Sequence, residues 1–238
     1  MSELIYGRNP VKEALKSGLV ISLIISEGFH DADFLNVLKK DYSHVPVKRV
    51  TNKELDKMCP GVNQGVAAQI KSIEYSSVDA ILGRCKKEIN PIVVMLDGIN
   101  DPHNFGAILR CCEIFDVRGI VISKHNQVPL NATVAKTSAG AINYVPVALV
   151  NNLNMAIKTF KDNGFWVVSS SGNADLNYQD LNYCFPTLLV IGNEGSGISN
   201  LVLKNSDYVV KIPMYGKVNS LNASVACGIL LAKIKESK

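Results

Sequence analysis

The sequence predicts an α/β protein whose larger part is a mostly parallel, doubly wound sheet. Three observations lead there. From residue 91 onward, short apolar runs alternate with stretches of helical period, the pattern of strands buried on both faces. Three polar, glycine-punctuated turns each follow an apolar run: Asp97 to Arg110 after Ile92–Leu96, Gly192 to Ser199 after Leu188–Ile191, and Pro213 to Asn222 after Val209–Ile212. In open parallel sheets ligands sit outside the carboxyl ends of the strands, where all three turns fall.

The elements follow in order. A helix is expected over 10–16, with Asn9 as N-cap and Pro10 at the first helical position. Val20–Ile25 reads as a buried strand, 32–40 as a helix and 45–50 as a strand. Thr51 caps a short helix to Met58, and 65–70 is a further strand. Residues 1–75 therefore form a small α/β domain, and 76–90, with Arg84, Lys86 and Lys87, read as a linker containing at most a short helix. The larger domain, 91–238, runs strand 91–96, helix 104–116, strand 119–123, helix 132–138, strand 144–148 and helix 151–163. Strands 165–170 and 187–191, helix 199–205, strand 208–212 and helix 220–236 complete it. No internal repeat or low-complexity tract interrupts the pattern.

Composition excludes several classes. With 47% hydrophobic and 19% charged residues the 238-residue chain has an ordinary globular profile. It shows neither an 18-residue apolar run nor a signal-like N-terminus, so a cytoplasmic protein with no membrane partner is expected. A net charge of +4 is compatible with nucleic acid without arguing for it. The six cysteines form no C-x-x-C pair and only four histidines accompany them, so no metal site is expected. Cys111 and Cys112, about 100° apart on a helix, should place at least one thiol in the core.

A dinucleotide fingerprint would follow the first strand of its unit. Here the glycine-rich turn Gly192-x-x-Gly195-x-Gly197 lies in the last fifth of the chain, which argues against NAD and against a Rossmann methyltransferase.

Taken together, Asn104-x5-Arg110, Gly192-Asn-Glu-Gly-x-Gly197 and Ile212-Pro-Met-x-Gly-x3-Ser220-Leu-Asn222 resemble the three motifs of the SpoU family. Its members are S-adenosylmethionine-dependent RNA ribose 2'-O-methyltransferases of the SPOUT class. The resemblance covers roughly 91–236, and Tyr6–Leu15 extends it, resembling a small RNA-recruiting domain of the L30e/L7Ae-like type. The subgroup most resembled is the bacterial 23S ribosomal RNA guanosine-2'-O-methyltransferases. The resemblance implies a SPOUT domain with a deep trefoil knot, S-adenosyl-L-methionine as cofactor, an RNA partner and a homodimer.

It also implies residue roles. Gly192, Ile212 and Leu221 would contact the cofactor; Asn104, Arg110, Glu194, Ser220 and Asn222 would form the catalytic set. A guanidinium is a poor proton acceptor, so Arg110 is expected to position phosphate and stabilise a developing alkoxide. Glu194 would organise the site by fixing Arg110 or another donor. Blander readings stand beside these. The glycines could serve tight turning alone, Arg110 could pair with Glu113 or Asp116, and Asn104 and Ser220 could be helix caps. Apolar positions Leu221, Val225, Ile229 and Leu230 would seat the last helix. His103 and His125 lie outside the motifs and are read as solvated; with no histidine–acid pair beside Ser220, a serine hydrolase is excluded. Transfer RNA as substrate, and a non-catalytic RNA-binding or ribosome-assembly role, remain the alternatives.

Overall fold

A computed structural model describes residues 2–16, 18–59, 61–71, 74–217 and 220–237. The chain divides into two units, one ending at Glu74 and the other beginning at Tyr75.

The first unit is a four-stranded sheet of order β1-β4-β2-β3, from β1 (Ser2–Tyr6), β2 (Val20–Ser26), β3 (Val47–Val50) and β4 (Val66–Lys71). β4 runs antiparallel to β1 and β2, while β2 and β3 are parallel. Helices α1 (Arg8–Lys16), α2 (Ala32–Asp41) and α3 (Asn52–Met58) cover it. Alternation along β2 separates its two cores: Leu23 and Ile25 join Val11, Phe29 and Phe34, whereas Ile24 joins Val50, Leu55 and Cys59. Thr51 caps α3 as expected, in a capping box with Glu54, whose carboxyl those bonds to Thr51 hold below the usual range. The start of α1 differs from expectation. The helix begins at Arg8, with Val11 N donating to Gly7 O, so Asn9 and Pro10 lie inside the first turn. β1, too short and too near the chain start to show a period, was not expected.

The stretch 76–90 is no linker. Ser77 caps helix α4 (Val78–Cys85) through Ala80 N, and Ile81, Leu82 and Cys85 are buried in the second unit's core. Three buried apolar residues on one turn-spaced face hold it there.

That unit contains a seven-stranded sheet of order β7-β6-β5-β10-β8-β11-β9, with every pairing parallel. The strands are β5 (Ile92–Asp97), β6 (Ile120–Ser123), β7 (Val147–Val150), β8 (Trp166–Ser170), β9 (Leu176–Asn177), β10 (Thr187–Gly192) and β11 (Tyr208–Lys211). Helices α5 (Pro102–Ile114), α6 (Ala132–Thr137), α7 (Leu153–Asp162), α8 (Asn200–Lys204) and α9 (Ala223–Glu236) flank it. The continuous apolar runs have the reason expected: Ile92, Val94 and Leu96 pack into one layer, Val93 and Met95 into the other. Strand 144–148 is displaced, because a 3-10 turn at Ala141–Asn143 and Pro146 delay pairing until Val147. Cys112 is fully buried, as anticipated for one of the adjacent pair.

Two helix starts also move. α5 is capped by Asp101, with Pro102 at its first position, so Asn104 is not a cap. α9 is capped by Asn222 rather than Ser220: its Oδ1 accepts from Ser224 N at 2.9 Å and Val225 N at 3.4 Å. The core face of α9 is Ala223, Cys227, Leu230, Leu231 and Ile234. Of the four positions expected to seat it, Leu230 does so; Val225 is 48% exposed, and Leu221 and Ile229 are half-buried.

Candidate functional site

The parallel register brings the first two turns together. Gly192 pairs with Asp97, so both chains leave the sheet at one level. β5 and β10 are neighbours, yet β6 lies beyond β5 and β8 beyond β10, which makes their carboxyl edge a topological switch point. The second turn is then fixed to the first. Asn193 Nδ2 donates to Gly98 O at 2.8 Å, its Oδ1 accepts from Gly195 N at 2.8 Å, and Ser199 N donates to Asp97 Oδ2 at 2.8 Å. Asn193 and Gly197 also exchange both backbone hydrogen bonds.

Gly192 is dictated by this closure. A Cβ there would sit 2.5 Å from the backbone carbon of Gly197 and 2.6 Å from Ile198 N. The approach that requires glycine is thus to its own turn, although the residue also lines a cavity.

That cavity, of about 450 Å3, opens beside the carboxyl ends of β8, β10 and β11. Ile212 and Leu221 contribute apolar wall, Ser171 and Asn173 polar wall, and Glu194 and Ser220 also line it. Its volume lies in the range of small-molecule sites. All three residues expected to contact a cofactor therefore meet there, with two of the five expected to be catalytic.

Two more are tied to it through side chains. Asn222 Nδ2 donates to Asn104 Oδ1 at 2.7 Å, and Asn104 Nδ2 donates to Glu194 Oε1. One chain of amides and a carboxylate thus joins the last helix, the first motif's helix and the glycine-rich turn. Asn104 is buried, so each amide atom finds its partner without water. Of the two expected arrangements, Arg110 or another donor, the structure has the second: Glu194 accepts from Asn104 and not from Arg110. The other oxygen of Glu194 has no protein partner among the described residues.

Arg110 stands apart. Six positions beyond Asn104, it lies about 240° around α5 and is exposed. It lines no part of the cavity and makes no ion pair among the described residues; the neighbouring Asp116 pairs with Arg118 at 2.6 Å and Lys235 at 3.5 Å. Pairing with Glu113 or Asp116 is therefore not what holds it. His103 and His125 are exposed and line no part of the cavity.

Asn193 was missed by sequence reasoning. Its place in an Asn-Glu-Gly turn suits an Asx turn, but nothing local marks the bond to Gly98, 95 positions away.

Comparison with known proteins decides the family. The SpoU rRNA methylase family model matches residues 91–232, and a model of the RNA 2'-O ribose methyltransferase substrate-binding domain matches 4–76. The chain belongs to the SpoU family of RNA methyltransferases. A TrmH-family tRNA/rRNA methyltransferase of Staphylococcus epidermidis is 41% identical over 97% of this chain and 94% of its own. That of Staphylococcus aureus is 42% identical, with the same coverage. Among solved structures, the SpoU methyltransferase AviRb of Streptomyces viridochromogenes superposes with a TM-score of 0.67 at 22% identity, over 99% of this chain and 89% of that one. The rRNA methyltransferase of Sinorhizobium meliloti, solved with AdoMet bound, gives 0.67 at 22% identity, over 99% and 87%. These show the SPOUT fold that the SpoU motifs implied.

No helix among the described residues is long and apolar enough to cross a membrane.

Proposed function

We propose that this SpoU-family protein transfers a methyl group from S-adenosyl-L-methionine to the ribose 2'-hydroxyl of a guanosine in 23S ribosomal RNA. The observation that carries the reading is the amide–carboxylate chain Asn222–Asn104–Glu194 bordering a ligand-sized cavity.

The cavity suits the cofactor: backbone of the 192–198 turn, apolar Ile212 and Leu221, and polar Ser171 and Asn173 match a ligand with an adenosine and an amino-acid part. When bound, the cofactor supplies an electrophilic methyl on a sulfonium. The protein's residues do the rest. Gly192, Ile212 and Leu221 hold the donor, while Ser220 and Asn222 shape the side facing the acceptor. Asn104, clamped from both sides, fixes the Glu194 carboxylate, whose free oxygen accepts a hydrogen bond from the ribose hydroxyl. Arg110 holds the target's phosphate and stabilises negative charge developing on the 2'-oxygen. Because it is exposed and lines no part of its own cavity, we assign it to the site of a second copy in a homodimer. Val225, left exposed on α9, and the half-buried Ile229 supply apolar surface for that association. The insertion of β10 between β5 and β8, with α9 packed on α5, agrees with a knotted C-terminal segment. The first unit recruits the RNA, in the cytoplasm, where six unpaired thiols are at home.

The test is transfer of labelled methyl from S-adenosyl-L-methionine to total ribosomal RNA, with bulk transfer RNA in a parallel reaction. Label in ribosomal RNA supports the reading; label confined to transfer RNA replaces its substrate.

A further inference from the structure

The first unit holds a cleft of its own, of about 320 Å3, where the end of β2, the start of α3 and the turn into β4 converge. Its floor is apolar, from Phe29 and Leu55, which are 4% and 1% exposed. Its wall is polar and mostly neutral. Asn63 is buried and internally committed, donating to Asp56 Oδ1 at 2.8 Å and accepting from Gly65 N at 2.9 Å. Gln64 sits at φ 53°, a conformation a non-glycine residue rarely adopts, and its Oε1 accepts from Arg8 N at 2.9 Å. The Gln64 side-chain NH2 is left to donate.

Two further groups lack protein partners among the described residues. Ser26, 2% exposed as a residue, lines the cleft and has no side-chain hydrogen bond to another described residue. The Asn52 amide, at the first position of α3, is likewise unpaired. A side chain at residue 65 would press on this space: a Cβ on Gly65, itself at φ +77°, would lie 3.0 Å from both Ser26 Oγ and Phe29.

We propose that this cleft binds one unstacked RNA nucleobase by its hydrogen-bonding edge, using Ser26, Asn52 and Gln64. Sequence-specific RNA recognition favours such splayed-out bases, read by amides and hydroxyls and stacked on rings. His30, on the rim, supplies a ring. Phosphate is disfavoured, because Arg8 is already paired with Asp31 at 3.1 Å and Asp56 adds negative charge to the wall. The inference rests on the first unit binding RNA and adds the place and the chemistry.

The test uses the whole chain. Side-chain amide NMR signals of Asn52 and Gln64 are followed during titration with AMP, GMP, CMP, UMP and inorganic phosphate. Binding to total ribosomal RNA is measured for wild type, Asn52→Ala and Gln64→Ala. Saturable shifts with at least one nucleotide and none with phosphate are expected, together with RNA binding weakened roughly 5- to 100-fold by either variant. In Asn52→Ala cofactor affinity and circular dichroism should be unchanged, since Asn52 is exposed and distant in sequence from the motifs. Equal shifts with phosphate, no shift with any nucleotide, or wild-type RNA affinity in both variants would overturn the proposal while leaving RNA binding by the first unit intact. Failure of the wild-type chain to bind RNA would remove both.

Discussion

Asn222 performs two separable tasks, and substitutions there should resolve them. Its Oδ1 caps α9, and its Nδ2 donates to buried Asn104 Oδ1 at 2.7 Å. Asn222→Ala removes the cap, worth about 1 kcal/mol, and leaves Asn104 Oδ1 unsatisfied, worth about 1–3 kcal/mol. The sum, about 2–4 kcal/mol, lowers the melting temperature of a unit this size by roughly 5–15 °C. Asn222→Ser keeps a capping oxygen and loses only the amide donor, so it recovers about 1 kcal/mol of that loss. Asn222→Asp also keeps the cap but sets a carboxylate against Asn104 Oδ1. The Asn104 amide must then turn, releasing Glu194, so transfer falls more than stability does. The single tryptophan, Trp166 on β8, reports unfolding of the second unit by fluorescence. A double-mutant cycle between Asn104→Ala and Asn222→Ala should give a coupling above about 0.5 kcal/mol. Additive effects, or an Asn222→Asp enzyme with wild-type transfer, would refute the clamp.

Three further outcomes are expected. Gly192→Ala places a Cβ 2.5 Å from backbone, destabilises by about 1–3 kcal/mol and weakens cofactor binding more than tenfold by calorimetry, because the turn must shift. Arg110→Ala lowers transfer by about 10²–10³ while cofactor affinity stays within a few-fold, since Arg110 lies outside the cavity. Lost cofactor binding in a folded Arg110→Ala protein would contradict its placement. Under native conditions near pH 8, alkylation followed by mass spectrometry should label exposed Cys184 first. Cys85, whose thiol burial pushes up to about 11, and Cys112, raised by burial and by the adjacent Cys227, should label only after unfolding.

How much of this was legible follows from which forces act locally. Strands such as β5 and β10 declare themselves because burial on both faces makes every residue apolar. The capping box at Thr51 is written in four consecutive residues. The cap of α9 was not, because Ser220 and Asn222 are equally good capping residues and only the tertiary bond to Asn104 selects between them. The short helix allowed within 76–90 exists, but its place in the core did not show, because eight residues give barely two turns, too few for a period to stand out among Arg84, Lys86 and Lys87. Asn104, Glu194 and Asn222 were recognisable through their motifs, but their connection spans 90 and 118 positions. Arg110 shows the reverse: its motif marks it, while the fold of one chain holds it away from the cavity.

The most direct measurement is nucleoside analysis by mass spectrometry of ribosomal RNA incubated with the protein and isotopically labelled S-adenosyl-L-methionine. The account predicts label in 2'-O-methylguanosine, at one position of 23S RNA, formed about 10²–10³ times more slowly with Arg110→Ala. Label on a nucleobase, or no label with a folded protein that binds the cofactor, would contradict it.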